Sequence, residues 1–130
     1  MIVDTSAIIA IIQQEPEAKK FSQILDLQTN REMLAPNYLE LCMVLLGNKN
    51  PKGQHEIDAT LDELDVKIIA FTPEMASVAT AAFLKYGKGQ GHPAQLNFGD
   101  CMAYAAAKMD SLPLLFKGDD FRKTDVESAI

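Results

Sequence analysis

The sequence predicts an α/β fold in which a short, mostly parallel central sheet is covered by helices on both faces. Two observations lead there. Short runs that are apolar throughout alternate with longer helical segments, and strands separated by segments of that length connect as parallel βαβ units. The short runs also lack polar alternation, as strands covered on both faces do. The length agrees. A chain of 130 residues, 48% hydrophobic and 23% charged, reads as one ordinary domain over residues 1–130, burying roughly two thirds of its unfolded surface.

The elements follow in order. Met1–Val3 is the first strand, and Ser6–Ile12 a short helix after it. A second helix opens at Pro16 and reaches Leu27. Met33–Ala35 is the second strand and Pro36–Leu46 its helix. Pro51–Leu64, the strand Val66–Phe71 and the helix Pro73–Tyr86 come next. Four of these helices have a proline near the first helical position, where its fixed φ helps and its missing N–H costs nothing. Gly47 and Gly87 are natural stops. Gly87–Asn97 is the one long irregular loop, followed by the helix Phe98–Met109 and the strand Leu112–Phe116. The tail Thr124–Ile130 can add an edge strand. Phe21, Leu25, Leu61, Leu64, Met75 and Phe83 fall at helical spacing and read as core. The apolar faces of the helices at 16–27 and 51–64 are expected chiefly as core, with a partner or second subunit as the alternative.

Composition excludes several classes. No run of about 20 apolar residues reads as a membrane span. No basic segment precedes the first apolar residues, so a secretory signal is not expected. Cys42 and Cys101 show no CxxC spacing and the two histidines, His55 and His92, lie far apart, which argues against structural zinc and against a catalytic thiol. The expected setting is soluble, cytoplasmic and reducing.

The net charge of −6 argues on its own against a nucleic-acid partner, which favours basic faces. Its distribution changes that judgement. Asp4 is the only charged residue from Met1 to Ile12, Glu40 the only one from Met33 to Asn48, and Asp100 the only formally charged one between Lys88 and Lys108. An unpaired carboxylate in a core segment costs several kcal/mol or takes up a proton. Asp4 follows the first strand. Asp119 and Asp120 follow the last, with Gly118 giving the turn, so all three lie at the C-terminal edge of a parallel sheet, where open α/β folds bind ligands. Glu40 and Asp100 sit early in helices that can reach the same edge. Asn97 can cap its helix, Gly99 allows close approach, and Asp100 near the third position favours the positive helix end.

Five oxygen-donor acids without Cys or His select a hard divalent cation, Mg2+ or Mn2+. Without them, twelve Lys and Arg face thirteen acids, a net charge of −1, so most of the excess negative charge belongs to this cluster. Such a site suits phosphodiester hydrolysis, in which one ion acidifies a water and a second stabilises the leaving oxygen; one or two ions remain open. Lys49 and Lys52, Lys85 and Lys88, and Lys117, Arg122 and Lys123 are loosely grouped and can touch phosphates at the rim.

Four segments together, MIVDTSAII, PNYLELCMVL, LNFGDCMAYAAAK and PLLFKGDDFRKTDV, resemble the PIN-domain ribonucleases, specifically the VapC-type toxins of prokaryotic type II (VapBC) toxin–antitoxin pairs. The likeness covers essentially the whole chain. It implies a PIN-like three-layer α/β/α fold that cuts RNA with Mg2+ or Mn2+. The family's first three acids match Asp4, Glu40 and Asp100, and its fourth falls within Asp119-Asp120. Ser6 matches a small hydroxyl that hydrogen-bonds the cluster, or alternatively caps the first helix. The resemblance further implies a homodimer, a VapB-type antitoxin whose Arg- or Lys-bearing segment docks beside the acids, and contact with DNA only through that antitoxin.

Two readings compete. A phosphoacceptor receiver-type signalling domain shares the length, an acidic pocket and a lysine after a late strand, here Lys117, but lacks an acceptor Asp at the end of a central strand. A PIN-fold binding module without activity is the other, opposed by the complete acid set. A dehalogenase-type phosphatase is disfavoured because Asp4-Thr5-Ser6 lacks a second Asp two residues on.

Overall fold

The computed structural model describes residues 1–47 and 53–130. Four strands, β1 (Ile2–Val3), β2 (Glu32–Leu34), β3 (Lys67–Ile69) and β4 (Leu114–Leu115), form one sheet in the order β3-β2-β1-β4, every neighbouring pair parallel. Six helices occur among the described residues: α1 (Thr5–Ile12), α2 (Ala18–Asp26), α3 (Ala35–Gly47), α4 (Gln54–Glu63), α5 (Pro73–Tyr86) and α6 (Phe98–Met109).

The strand side chains divide between two cores, as the two-residue period of a strand requires. Ile2, Leu34, Leu114 and Phe116 pack with α5 and α6. Met1, Val3, Met33 and Leu115 pack on the other face with Ile8, Phe21, Leu25, Leu41, Ile57 and Leu61 from α1 to α4. β1, β4 and the Met33–Leu34 part of β2 therefore become the middle of three layers, whereas the edge strand β3 is not covered on both faces: Lys67 and Ile68 are exposed and Ile69 half-buried. β1 lies between β2 and β4, and the chain leaves it for β2 on one side and returns through β4 on the other. That reversal opens a crevice at the strands' C-terminal ends.

The boundaries shift from expectation by up to three residues. β2 runs directly into α3, so Ala35 opens the helix and Pro36 is its second residue. α2 begins at Ala18 rather than Pro16. The opening expected at Pro51, together with Lys49 and Lys52, lies outside the described residues. At α5, Thr72 caps with its hydroxyl accepting the Met75 N–H at 3.2 Å, and Pro73 follows in the first turn. The tail contributes one parallel bridge, Ser128 against Leu114, at the free edge of β4. Residues 87–97 are irregular but ordered: Lys88 N–H donates to the Leu96 carbonyl and Leu96 N–H to that of Tyr86, while the His92 ring meets Tyr86 edge-on at 4.8 Å.

Phe83 is a correction. It is 41% exposed, with Leu84, Leu39, Met43 and Phe98 also exposed, Phe98 at 83%. Phe21, Leu25, Ile57 and Leu61 are buried, as the core reading of those two helices expects, while Leu27 at the end of the first is exposed. Most of the exposed apolar side chains belong to α3, α5 and the start of α6, with Leu27, Ile68 and Met109 exposed elsewhere. Among the described residues no helix is long and apolar enough to cross a membrane.

Candidate active site

Asp4 leaves β1 and caps α1. Its backbone is extended (φ −79°, ψ 154°), and its Oδ2 accepts the Ser6 N–H at 3.0 Å and the Ser6 hydroxyl at 2.5 Å. The capping role open to Ser6 thus falls to Asp4, because the acid stands one residue before the helix. Ser6 Oγ in turn accepts the Lys117 N–H at 2.9 Å. That bond ties the segment after β4 to the acid after β1. Asp4 is only 4% exposed. Burial raises its carboxyl pKa most strongly; the Ser6 and Thr5 donors oppose this, and the charge of Glu40 adds to it.

Asp100 is fixed from the other side of the sheet. Asn97 caps α6, its Oδ1 accepting the Asp100 N–H at 2.9 Å while Asp100 Oδ2 accepts the Asn97 N–H at 2.9 Å. This reciprocal box is the one expected of an Asn with an acid three residues on. The Asp100 carboxyl is pushed up to about 7, first by burial and then by the charges of Asp4, Asp120 and Glu40, with the Asn97 N–H pulling it down. The carboxylates of Asp4, Glu40, Asp100 and Asp120 therefore share one electrostatic neighbourhood, although their carriers lie up to 116 positions apart in the chain.

Glu40 reaches this neighbourhood across Gly99. A Cβ on residue 99 would lie 2.5 Å from Glu40 Oε2 and 3.1 Å from its Cδ. The hydrogen at this position makes room for the carboxylate. Asp119 and Asp120 point apart. Asp119 is 82% exposed and faces Arg122 at 3.9 Å, whereas Asp120 acts on Asp100. Beneath the acids is a polar link absent from the sequence reading. Thr5 and Asn37 are buried, the Thr5 hydroxyl donates to the Asn37 carbonyl at 3.0 Å, and Asn37 Nδ2 donates to the Gly99 carbonyl at 3.2 Å. Its signal was legible: each is a polar residue within an otherwise apolar window.

Among the described residues no lysine or arginine forms an ion pair with Asp4, Glu40, Asp100 or Asp120. The nearby cations are engaged elsewhere: Lys117 with Glu15 and Glu17, Arg122 with Asp119, Lys108 with Asp125. Four oxygen-donor acids, two with pKa raised chiefly by burial and further by one another's charge, fit a hard divalent cation by the chemistry of the set. Among the described residues no group of three or more Asp, Glu, His or Cys side chains is arranged closely enough to hold a metal ion, so the four acids are neighbours and not a formed coordination shell.

The sequence matches the PIN domain family over residues 1–127. The chain belongs to the PIN-domain family. Within it, the chain is 43% identical over 129 residues to ribonuclease VapC42 of Mycobacterium tuberculosis, covering 99% of this chain and 98% of that one. It is 40% identical over 126 residues to ribonuclease VapC30 of the same species, with 97% and 95% covered. The VapBC2 structure from Rickettsia felis, bound to a promoter DNA fragment, superposes with a TM-score of 0.75 at 14% identity, over 98% of this chain and 94% of that one. PIN-domain VapC ribonucleases are nucleases that generally depend on a metal ion. The four-stranded order seen here differs from the five-stranded 2-1-3-4-5 order of receiver-type domains, and the Lys117 ammonium faces Glu15 and Glu17 rather than the acids; both count against that reading.

Proposed function

We propose that this PIN-family protein is a metal-dependent endoribonuclease, the toxin of a VapBC-type toxin–antitoxin pair, acting in the prokaryotic cytoplasm with residues 1–130 as a single PIN domain. The observation that carries this reading is the mutual charge of Asp4, Glu40, Asp100 and Asp120 without a basic partner, at the edge where β1 and β4 end. These four would hold Mg2+ or Mn2+, and Asp120 rather than Asp119 is the fourth acid. A divalent cation held there supplies acidified water and neutralises charge on the scissile phosphodiester. The chain's own residues do the positioning. Ser6 holds Asp4 through two hydrogen bonds, Asn97 fixes Asp100, and Gly99 admits Glu40.

The substrate is RNA. The partner is a VapB-type antitoxin whose cationic side chain enters the acidic site, with DNA contacted only through it; the VapBC complexes among the structural neighbours support this. The exposed apolar surface suits a second copy of the chain. A groove of about 490 Å3 runs between α3 and α6, lined by Leu39, Met43, Phe98 and Met102 with Glu40 on its wall, and exposed patches of this kind mark association sites.

The test is cleavage of a mixed RNA panel with and without Mg2+ or Mn2+. Asp100→Asn should abolish cleavage while its circular-dichroism melt remains cooperative. Cleavage by Asp100→Asn at the unmodified protein's rate would overturn the reading. Metal binding without any RNA cleavage by the unmodified chain would favour the inactive binding module.

A further inference from the structure

We propose that Asn37 is a positioning residue of the acidic site, holding the three segments that carry Asp4, Glu40 and Asp100 at a fixed spacing. The inference rests on the nuclease reading above. Asn37 lies in the first turn of α3, three residues before Glu40 and so on the same helix face. Its carbonyl takes the hydroxyl of Thr5, the residue after Asp4. Its side-chain amide donates to the carbonyl of Gly99, the residue before Asp100. Both contacts fall one residue from an acid, Thr5 on α1 beside Asp4 and Gly99 on α6 beside Asp100, while Asn37 itself shares α3 with Glu40.

Stability alone does not explain an asparagine here. Asn37 is 1% exposed, and its Oδ1 has no hydrogen-bond partner among the described residues. An orphaned buried oxygen is unfavourable, and an apolar residue of similar shape would avoid it. The amide nitrogen is what the position uses. Four like charges repel one another, and the burial of Asp4 leaves little water to screen them. Side-chain rotamers alone would let the acids spread. A buried link between their backbones opposes that spreading and limits how far the acids must move to close on a cation. Groups that orient ligands in this way affect metal affinity nearly as much as the ligands do.

The experiment titrates the full-length chain with Mn2+ by isothermal calorimetry, well below each variant's melting temperature. Asn37→Ala should weaken Mn2+ binding by about 10- to 100-fold, with a cooperative melt retained. Thr5→Val keeps the side-chain shape, removes only the hydroxyl bond to the Asn37 backbone carbonyl, and should weaken binding in the same direction; Asn37→Leu, which fills the site without the amide donor, reads the side chain's part if Asn37→Ala does not fold. Asp100→Asn is run alongside and should lose Mn2+ binding. If Asp100→Asn loses Mn2+ while Thr5→Val and the folded Asn37→Ala or Asn37→Leu bind it within twofold of the unmodified protein, Asn37 is merely structural and the positioning role is overturned, whatever their melting temperatures. If Asp100→Asn also keeps full Mn2+ affinity, the acidic-site reading itself fails and this inference fails with it.

Discussion

Gly99→Ala separates folding from function at one atom. Residue 99 sits in the first turn of α6 and its φ is not positive. A helical glycine of this kind costs about 0.5–1 kcal/mol relative to alanine, mostly through the freedom it has in the unfolded chain. Packing offers little resistance, because the atoms nearest the added methyl are the carboxylate end of Glu40, at 2.5 Å, 3.1 Å and 3.2 Å. A carbon and an oxygen not bonded to each other need roughly 3.2–3.5 Å, so Glu40 must retreat by about 0.7–1 Å. A displacement of that size at reacting groups costs about 100-fold in rate. The expected variant therefore melts at or above the temperature of the unmodified protein and cleaves RNA about two orders of magnitude more slowly. Melting by circular dichroism and a fluorogenic RNA assay with Mg2+ measure the two effects on one sample. A stabilised Gly99→Ala that cleaves at the original rate would show that the Glu40 carboxylate has no required place beside Asp100, and the site argument would lose its second acid.

Three further outcomes follow from the same geometry. Asp120→Asn should lower metal-dependent cleavage by at least tenfold while Asp119→Asn, whose side chain faces Arg122 in solvent, changes it less than twofold; equal effects in the assay would refute the distinction. Because the Asp100 carboxyl lies near 7 when folded against an ordinary 3.8, the metal-free native state binds more protons than the unfolded chain between those values. Its contribution to stability therefore falls as pH rises from about 4 to 7. Melts in EDTA should show that decline in the unmodified protein relative to Asp100→Asn, and Mn2+ affinity should rise about tenfold per pH unit up to about 7 as the proton is displaced; a flat difference between the two proteins would contradict the assignment. As the check on the proposed dimer, Leu84→Glu paired with Met43→Glu should give the mass of one chain by light scattering where the unmodified protein gives two, with the far-ultraviolet circular dichroism retained, since both side chains are largely exposed in the single chain; equal masses would refute association through this surface.

Some of this was legible in the residues alone. Strands apolar in both phases required cover on both faces, and the two buried clusters that meet at Ile2 and Val3 are that cover. Single acids inside apolar windows marked Asp4, Glu40 and Asp100, since isolated charge is tolerated there only for a reason. The pairing of Asn97 with Asp100 is local, three residues apart, and so was readable as a cap. What was missed involved distance or direction. Thr5 and Asn37 are 32 positions apart and Asn37 and Gly99 are 62 apart, and no local pattern says that they touch. Phe83 has the spacing of a core residue, yet helical periodicity states only which residues share a face, not what covers it.

The residue order by itself determined the α/β class, the segments that bear the acids and the turn that caps α6, because periodicity and capping act within a few residues of chain. Only the tertiary structure decided that Asp4 rather than Ser6 caps α1, that Asp120 acts on Asp100 while Asp119 turns to Arg122, and that most of the exposed apolar side chains belong to α3 and α5 instead of α2 and α4. The physical reason is common to all three. Each outcome includes a contact that local sequence does not state: the Ser6 hydroxyl bonded to Asp4 is also held by Lys117 from the far end of the chain, Asp120 acts on Asp100 from another element, and the sheet covers the apolar faces of α2 and α4.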